Sequence, residues 1–303
     1  MYETIKYEGW NNCIRLYNHQ IELIVTTDVG PRIVKFGFTG KQNFLYLVPE
    51  HKGATGGNDW RIYGGHRLWL APEAIPFSYN PDNSIVEFVV EDNYIKLTQA
   101  KEEISGIVKE MEITLSSVKN ELKIEHRLTN GNKEKIKLSP WPITMLATGG
   151  TAILPQEPFG EGDDFLLPAR SVALWQYTKM NDPRWNWGEK YIRAKQDPVF
   201  TAEQKIGITN KQGWMAYCLN DEVLIKKIHF DPAAVYPDYN CNNEIYINAN
   251  YLEIETLGPL STLAPGETIV HTEHWLLAKA TVDESEQSID DNILPLVHSF
   301  VIQ

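Results

Sequence analysis

Short runs of alternating or β-branched residues recur along almost the whole chain and predict β-strands. In Ile107 to Leu115 and Glu121 to Leu128, apolar and polar residues alternate in part, as they do in half-buried antiparallel strands. Asn, Asp, Gly and Pro separate the runs and mark turns. The other predicted strands are residues 21–27, 32–38, 85–90, 94–100, 213–219, 223–229, 244–248, 251–256 and 268–279. The pattern therefore predicts an all-β fold.

The order of these elements favours one large antiparallel sandwich that spans residues 1–303. No βαβ spacing occurs, and no Gly-rich phosphate loop precedes a helix. Two β domains, with a boundary in the loop-rich region 155–200, are the alternative. The many aromatic residues of that region favour long loops over the mouth of one sandwich. A C-terminal helix is predicted over 284–301, and Pro295 is expected to kink or divide it.

Composition narrows the possible partners. The 303 residues are 43% hydrophobic, which is enough for a sizeable core, and the formal net charge is -12. An acidic chain is a poor partner for nucleic acid or for an anionic membrane surface, and no apolar run is long enough to span a bilayer. The first ten residues do not resemble a signal peptide, and the three cysteines lack metal-ligand spacing. We therefore expect a cytoplasmic protein without a metal or cofactor; the sequence indicates no oligomeric state.

The segment from Arg61 to Glu73 concentrates chemically competent side chains around a Gly-Gly turn. It contains His66, which can exchange a proton near neutral pH, and the guanidinium groups of Arg61 and Arg67. Trp69 adds a flat apolar face, and Glu73 ends the segment with a carboxylate. Polar hydrogen-bonding groups beside aromatic rings suit a polyhydroxylated ligand such as a sugar. The alternative is a hairpin corner in which Glu73 pairs with one of the arginines.

Three stretches of the sequence resemble the galactose mutarotase-like superfamily, in particular a bacterial branch related to aldose 1-epimerases and hexose-phosphate epimerases. The first is Tyr63-Gly-Gly-His-Arg-Leu-Trp-Leu-Ala-Pro-Glu73. The second is the strand over 121–130 with its Thr-Asn turn, followed by Lys137-Leu-Ser-Pro-Trp-Pro142. The third is the strand over 251–256, the Leu-Ala-Pro-Gly turn ending at 266, and the closing strand at 272–276. Their order along the chain matches the family, which implies a β-supersandwich with its site on the concave face.

The resemblance also implies a chemistry, the exchange of anomers of a sugar. A carboxylate removes the proton of the anomeric hydroxyl while an acid protonates the ring oxygen. By position, Glu255 resembles the base of the family. Strand alternation places Glu253 on the same face, so that either residue could be the base. Galactose mutarotases carry a histidine where this chain has Ser139-Pro-Trp-Pro-Ile143. His66 is therefore the first candidate for the acid, and His229 is the second.

Two further residues are expected to bind the ligand. Trp141 can stack on a sugar face. Asp238 could accept hydrogen bonds from sugar hydroxyls at the rim of the pocket, or it could cap a β-turn. Because Arg61 and Arg67 lie in one segment, the sequence leaves open whether the sugar is phosphorylated.

Three functions remain open at this stage. The preferred one is an isomerase, an aldose 1-epimerase or mutarotase that acts at the anomeric carbon. The second is a carbohydrate-binding protein without catalysis. The third is a glycoside hydrolase or lyase, which would require two carboxylates such as those of Glu73 and Glu255 across the scissile bond.

Overall fold

The chain forms two antiparallel β-sheets in the computed structural model, which describes residues 1–157, 160 and 162–301. The strands in chain order are β1 (Tyr2–Tyr7), β2 (Trp10–Tyr17), β3 (Ile21–Thr26), β4 (Arg32–Phe38), β5 (His66–Ala71), β6 (Glu87–Glu91), β7 (Tyr94–Thr98), β8 (Ile107–Leu115), β9 (Glu121–Asn130), β10 (Ile136–Leu146), β11 (Thr151–Pro155), β12 (Val172–Leu174), β13 (Trp185–Trp187), β14 (Tyr191–Lys195), β15 (Gln204–Ile208), β16 (Trp214–Leu219), β17 (Glu222–Ile228), β18 (Asn243–Ile247), β19 (Leu252–Thr256), β20 (Ser261–Leu263) and β21 (Thr268–Lys279).

The first sheet has 11 strands in the order β1-β2-β3-β4-β5-β10-β19-β18-β15-β12, with β20 paired to β10. The second has 10 strands in the order β13-β14-β11-β16-β17-β21-β9-β8-β7-β6.

The short helical segments are α1 (Pro237–Asn240), α2 (Glu286–Asn292) and α3 (Leu294–Ser299), with 3-10 turns at Pro49–His51 and Asp163–Phe165. No helix of the described residues is long and apolar enough to cross a bilayer. The predicted all-β class is confirmed.

One hydrophobic core lies between the two sheets. Period-two alternation turns Leu252 and Ile254 of β19 inward from the first sheet, and Leu122 and Ile124 of β9 inward from the second. All four side chains belong to the same buried cluster. The sheets therefore bury one face each against the other, as in a sandwich.

Two predictions for local elements are refined by the structure. Pro295 does divide the C-terminal helix, because it sits in the first turn of α3, where its missing N–H costs no hydrogen bond. Region 155–200 is only partly loop, since it also contributes β12, β13 and β14 to the edges of the two sheets. Pro158, Phe159 and Glu161 of that region lie outside the described residues.

The Gly-Gly turn before β5 is required by a close approach of backbone segments. Gly64 and Gly65 have φ values of 97° and 75°, a backbone conformation that residues other than glycine rarely adopt. A Cβ on Gly64 would lie 2.3 Å from the carbonyl oxygen of Tyr46, and one on Gly65 would lie 2.2 Å from that of Ile33. The turn thus brings the start of β5 directly against the backbone of Ile33 in β4 and of Tyr46.

Candidate functional site

A cleft lies over the centre of the outer face of the first sheet, on the side away from the core. Alternation along β5 turns Arg67 and Trp69 to this face, and alternation along β10 turns Trp141 to it. On β19 the same rule selects Glu253 and Glu255. Five residues predicted from distant parts of the sequence therefore line one cleft.

The register of neighbouring strands extends this set. Glu244 of β18 pairs with Glu255, and Tyr246 pairs with Glu253. Lys205 of β15 in turn pairs with Tyr246. The polar face of three adjacent strands is therefore continuous across the sheet, and Lys205 reaches the carboxylates of β18 and β19.

The cleft has a volume of about 420 Å³, which suits a monosaccharide or a slightly larger ligand. Aromatic side chains make up much of its wall. Trp69 contacts Trp141 edge-on, with ring centroids 5.4 Å apart, and Tyr79 with centroids 4.9 Å apart. The aromatic lining consists of Trp60, Trp69, Tyr79, Trp141, Trp175, Tyr177, Tyr246 and Tyr251. Such rings offer flat faces for sugar C–H groups.

Glu255 is held at the base of the cleft with one oxygen occupied and the other open. Its Oε2 accepts hydrogen bonds from Trp141 Nε1 at 2.6 Å and from Lys205 Nζ at 2.8 Å. Its Oε1 is buried and has no hydrogen-bond partner among the described residues. Buried polar atoms are normally hydrogen-bonded, so an open carboxylate oxygen beside a cleft indicates a place for a ligand hydroxyl.

Lys205 joins two buried carboxylates. Its Nζ lies 2.7 Å from Glu244 Oε2 and 2.8 Å from Glu255 Oε2. Burial alone would lower the pKa of Lys205, but the charges of Glu244 and Glu255 outweigh it and hold the pKa well above its ordinary value. Burial raises the pKa of Glu244 well above that of an ordinary carboxyl group. Lys205 is therefore a permanent cation that orients Glu255.

Glu253 faces a second cation, Arg67. Arg67 Nη2 lies 3.6 Å from Glu253 Oε1, and Nη1 donates to the carbonyl oxygen of Ile62 at 2.9 Å. Burial raises the pKa of Glu253 to about 7, against the opposing charge of Arg67. Near neutral pH this carboxyl group is therefore present in both its protonated and its ionised form.

His66 does not reach the cleft, which corrects the expected pairing of His66 with Glu255 across one cavity. The physical reason is alternation: since Arg67 faces the cleft, the adjacent His66 must face the core. There His66 is fully buried, with Nδ1 2.9 Å from Thr144 Oγ1 and Nε2 2.8 Å from His126 Nε2. The second candidate acid, His229, is exposed just after β17 of the other sheet. No histidine of residues 1–157, 160 and 162–301 lines this cleft.

The histidines instead form a polar network in the core. His66, His126 and Glu273 bring three possible metal ligands within 4.8 Å of one another. Lys226 Nζ, however, already lies 2.8 Å from Glu273 Oε1, and Trp275 Nε1 donates to Glu273 Oε2 at 2.8 Å. The carboxylate is thus neutralised and hydrogen-bonded by the protein's own side chains, and the cluster is satisfied without a metal.

The other predicted ligand-binding residues lie in different places. Glu73 lines the cleft and accepts a hydrogen bond from Tyr79, and not from either arginine. Arg61 lies outside the cleft lining, which corrects its predicted role: Nη1 donates to the carbonyl oxygen of Gly56 at 2.6 Å.

Asp238 is half-buried beside the cleft, in the single turn α1. Burial raises the pKa of Asp238, while the charge of Lys205 opposes the shift, so the two groups are neighbours. Asp238 has a φ of 50° and Tyr239 a φ of 61°, a left-handed backbone that is costly for residues other than glycine. Strained turns of this kind concentrate at functional sites.

Lys205 and Glu244 are the site residues that the sequence-based reasoning missed. The available signal was alternation in Asn243-Glu-Ile-Tyr-Ile247, which places Glu244 and Tyr246 on one face of a strand. Neither residue belongs to a recognisable motif. Their importance depends on strand order, because β15 and β18 neighbour β19 only in the folded sheet.

No protein-family model matches the sequence, and no curated protein matches it. Solved structures are similar over most of the chain. A galactose mutarotase-like protein from Lactobacillus casei ATCC 334 is 9% identical, with a TM-score of 0.58 over 88% of this chain and 100% of that one. A proposed aldose 1-epimerase from Klebsiella pneumoniae subsp. pneumoniae MGH 78578 is 10% identical, with a TM-score of 0.60 over 97% of this chain and 86% of that one.

A TPR-domain-containing protein from Parabacteroides distasonis ATCC 8503 is 14% identical, with a TM-score of 0.61 over 96% of this chain and 49% of that one. At these identities the comparisons define the fold. The chain has the galactose mutarotase-like fold, and the resemblance seen in the sequence is confirmed at that level.

Proposed function

We propose that this protein binds a sugar in the cleft over β5, β10, β15, β18 and β19 and exchanges the configuration at its anomeric carbon, as an aldose 1-epimerase does. The observation that carries the proposal is Glu255. One carboxylate oxygen is fixed by Trp141 and Lys205, and the other is buried without a hydrogen-bond partner among the described residues, at the base of an aromatic cleft. A fixed carboxylate with one free oxygen suits a base that takes the proton of the anomeric hydroxyl.

The acid of this reaction is assigned to Glu253. It lies on the same face of β19 as Glu255 and lines the same cleft. Its pKa of about 7 leaves a protonated fraction at neutral pH, which can deliver a proton to the ring oxygen. Two carboxyl groups in different environments can thus divide the roles of base and acid.

The test is polarimetry of anomer exchange with a panel of aldoses, measured against the spontaneous rate. Glu255→Gln keeps the shape of the side chain but removes the base, so the catalysed rate is expected to fall by about two or more orders of magnitude. Glu253→Gln should lower the rate as well, and the rate of the unmodified protein should decline above about pH 7, where Glu253 loses its proton.

The matched control is Glu87→Gln, an exposed residue of β6 in the other sheet, which should leave the rate unchanged. Tryptophan fluorescence on sugar addition reports binding separately, because Trp69 and Trp141 line the cleft. A catalysed rate that survives Glu255→Gln would contradict the assignment of the base.

Sugar binding without catalysis is the second candidate. It is favoured by one observation, the absence of a histidine from the cleft lining in the part of the chain that the structure describes. Under this alternative the protein changes its fluorescence with sugars but never exceeds the spontaneous rate of exchange.

We further propose that the chain functions as one domain in a reducing compartment such as the cytoplasm. The core cluster that includes residues of both sheets supports one domain. The three cysteines Cys13, Cys218 and Cys241 are free and buried, which supports a reducing environment.

A further inference from the structure

Both cations of the cleft lie beside carboxyl groups of the protein. Among the described residues that line it, Arg67 and Lys205 carry positive charge. Arg67 Nη2 lies 3.6 Å from Glu253 and Nη1 donates to Ile62, while its Nε is buried without a partner; Lys205 lies between Glu244 and Glu255. An anionic ligand group would have to displace a buried carboxyl group to reach Lys205, which is costly, and would lie beside Glu253 at Arg67.

The rim of the cleft adds negative charge without a matching cation. Glu73 and Glu203 both line the cleft and are exposed, and neither forms an ion pair within the described residues. The charges of both carboxylates affect the pKa of one hydroxyl group in the cleft, that of Tyr177. Burial raises the pKa of the Tyr177 hydroxyl, the charge of Lys205 opposes this, and the charges of Glu255, Glu73 and Glu203 add to it. The two rim carboxylates thus stand close enough to one point of the cleft to act on it together.

Two carboxylate oxygens at the base of the cleft have no hydrogen-bond donor among the described residues. Oε1 of Glu255 and Oε1 of Glu253 are buried without a hydrogen-bond partner, and the two side chains are at least nine-tenths buried. Hydroxyl and ammonium groups donate hydrogen bonds to such oxygens, whereas an ionised carboxylate or a fully ionised phosphate group has no proton to donate. An anionic substituent therefore gains no hydrogen bond from these oxygens, and the negative rim repels it.

Given the proposed function, we infer that the cleft selects sugars by charge: it takes sugars that are uncharged or carry an ammonium group and rejects sugar phosphates and uronic acids. Glu73 and Glu203 are the residues that set this preference. Their carboxylates repel an anion that approaches the mouth, and the carboxylate of Glu255 repels it at the base. Arg67 does not reverse this, because Glu253 already faces it.

The experiment measures dissociation constants of the full chain by calorimetry for ligands that share one ring. The gluco series is glucosamine, glucose, glucuronate and glucose 6-phosphate, and the galacto series is built in the same way. At low ionic strength the anionic members are expected to bind about tenfold or more weakly than the neutral parent. The ammonium member should bind at least as tightly as the neutral one.

Variants of Glu73 and Glu203 test whether these rim residues cause the weaker binding of anionic sugars. Glu73→Gln and Glu203→Gln should each narrow the gap between neutral and anionic sugars, and a high salt concentration should narrow it as well. Glu87→Gln on the other sheet should leave the gap unchanged. If anionic sugars bind as tightly as the neutral parent or more tightly, the charge rule is overturned while sugar binding stands. If no sugar of either series binds, the proposed function fails and the charge rule fails with it.

Discussion

At the scale of single residues, the site depends on a buried lysine that lies between two carboxyl groups. Glu244, Lys205 and Glu255 lie within hydrogen-bonding distance in a row, and all three side chains are almost completely removed from water. Burying a charge is costly unless it is paired, so Lys205 and the carboxyl groups beside it depend on one another. The lysine also rests on aromatic faces, 4.5 Å from the ring centroid of Trp141 and 4.8 Å from that of Trp175.

Removal of this lysine is expected to destabilise the protein strongly. Lys205→Met keeps the length of the side chain but leaves the carboxylate of Glu255 buried without its cation, at a cost of about 3–5 kcal/mol. Adding Glu255→Gln should recover part of this loss, because the buried carboxylate that needed compensation is then removed. Urea denaturation of the single and double variants measures both effects.

The control for this prediction is Lys133→Met, an exposed lysine in the turn between β9 and β10. It should change the free energy of unfolding by no more than about 0.5 kcal/mol. A comparable loss in Lys133→Met and Lys205→Met would show that the buried triad contributes nothing specific.

At the scale of elements, each central strand serves two purposes through its two faces. On β19, Glu253 and Glu255 face the cleft, while Thr256 faces inward and donates to Glu273 Oε1 at 2.5 Å. On β5, Arg67 faces the cleft and His66 the core. The ligand cleft and the core network are therefore built on opposite sides of the same backbone.

The inward faces of β9 and β21 predict sensitivity to acid. Burial lowers the pKa of His126 to about 4 and that of His271 to about 3. Both rings are neutral in the folded protein, next to His66, Glu273 and Lys226, whereas the unfolded chain binds protons near pH 6.5. Stability is therefore complete above pH 6.5 and falls with decreasing pH, by about 3 kcal/mol for His126 at pH 4.

Replacement of the ring should remove part of this dependence. Between pH 6.5 and pH 4, the free energy of unfolding of His126→Gln is expected to change less steeply with pH than that of the unmodified protein. This expectation concerns the slope and holds even if the substitution changes the stability at every pH. Denaturant unfolding at a series of pH values measures the slope. The exposed His298 provides the control, since His298→Gln should leave the slope unchanged. An equal slope in His126→Gln would show that His126 already carries its proton in the folded state.

At the scale of the whole molecule, the outer faces of the two sheets have different coverings. The outer face of the first sheet carries the cleft. The outer face of the second sheet is covered by α2 and α3: Ile289 of α2, Val297 of α3 and Ile293 between them share one buried cluster with Val223 and Ile225 of β17. The helices thus bury an apolar sheet face that would otherwise be exposed, and they lie on the sheet that does not carry the cleft.

This separation predicts that stability and function can be changed independently. Ile293 is fully buried between helix and sheet, and Ile293→Ala should cost about 2–5 kcal/mol of stability. Sugar dissociation constants should remain unchanged at temperatures where the variant is folded. Thermal unfolding and calorimetric titration measure the two quantities. A large loss of sugar affinity in the folded variant would show that the two outer faces are coupled.

The sequence by itself determined the fold class and a large part of the cleft. Alternation with a period of two identifies strands and assigns Glu253 and Glu255 to one face without any knowledge of the rest of the chain. The Gly-Gly segment marks a close backbone approach for the same local reason, since only glycine tolerates both its φ values and its contacts. Trp69 and Trp141 follow from the resemblance of their motifs, and the structure places both in the cleft.

Only the tertiary structure decided which face of each strand meets the ligand and which strands are neighbours. His66 and Arg67 are adjacent in sequence and equally capable of chemistry, but they lie on opposite sides of the sheet. Lys205, Glu244 and Glu255 come from separate parts of the chain, and the strand order β10-β19-β18-β15 brings them together. Alternation fixes relative positions within one strand, whereas the choice of the inward face and the pairing of distant strands depend on the burial of the whole core.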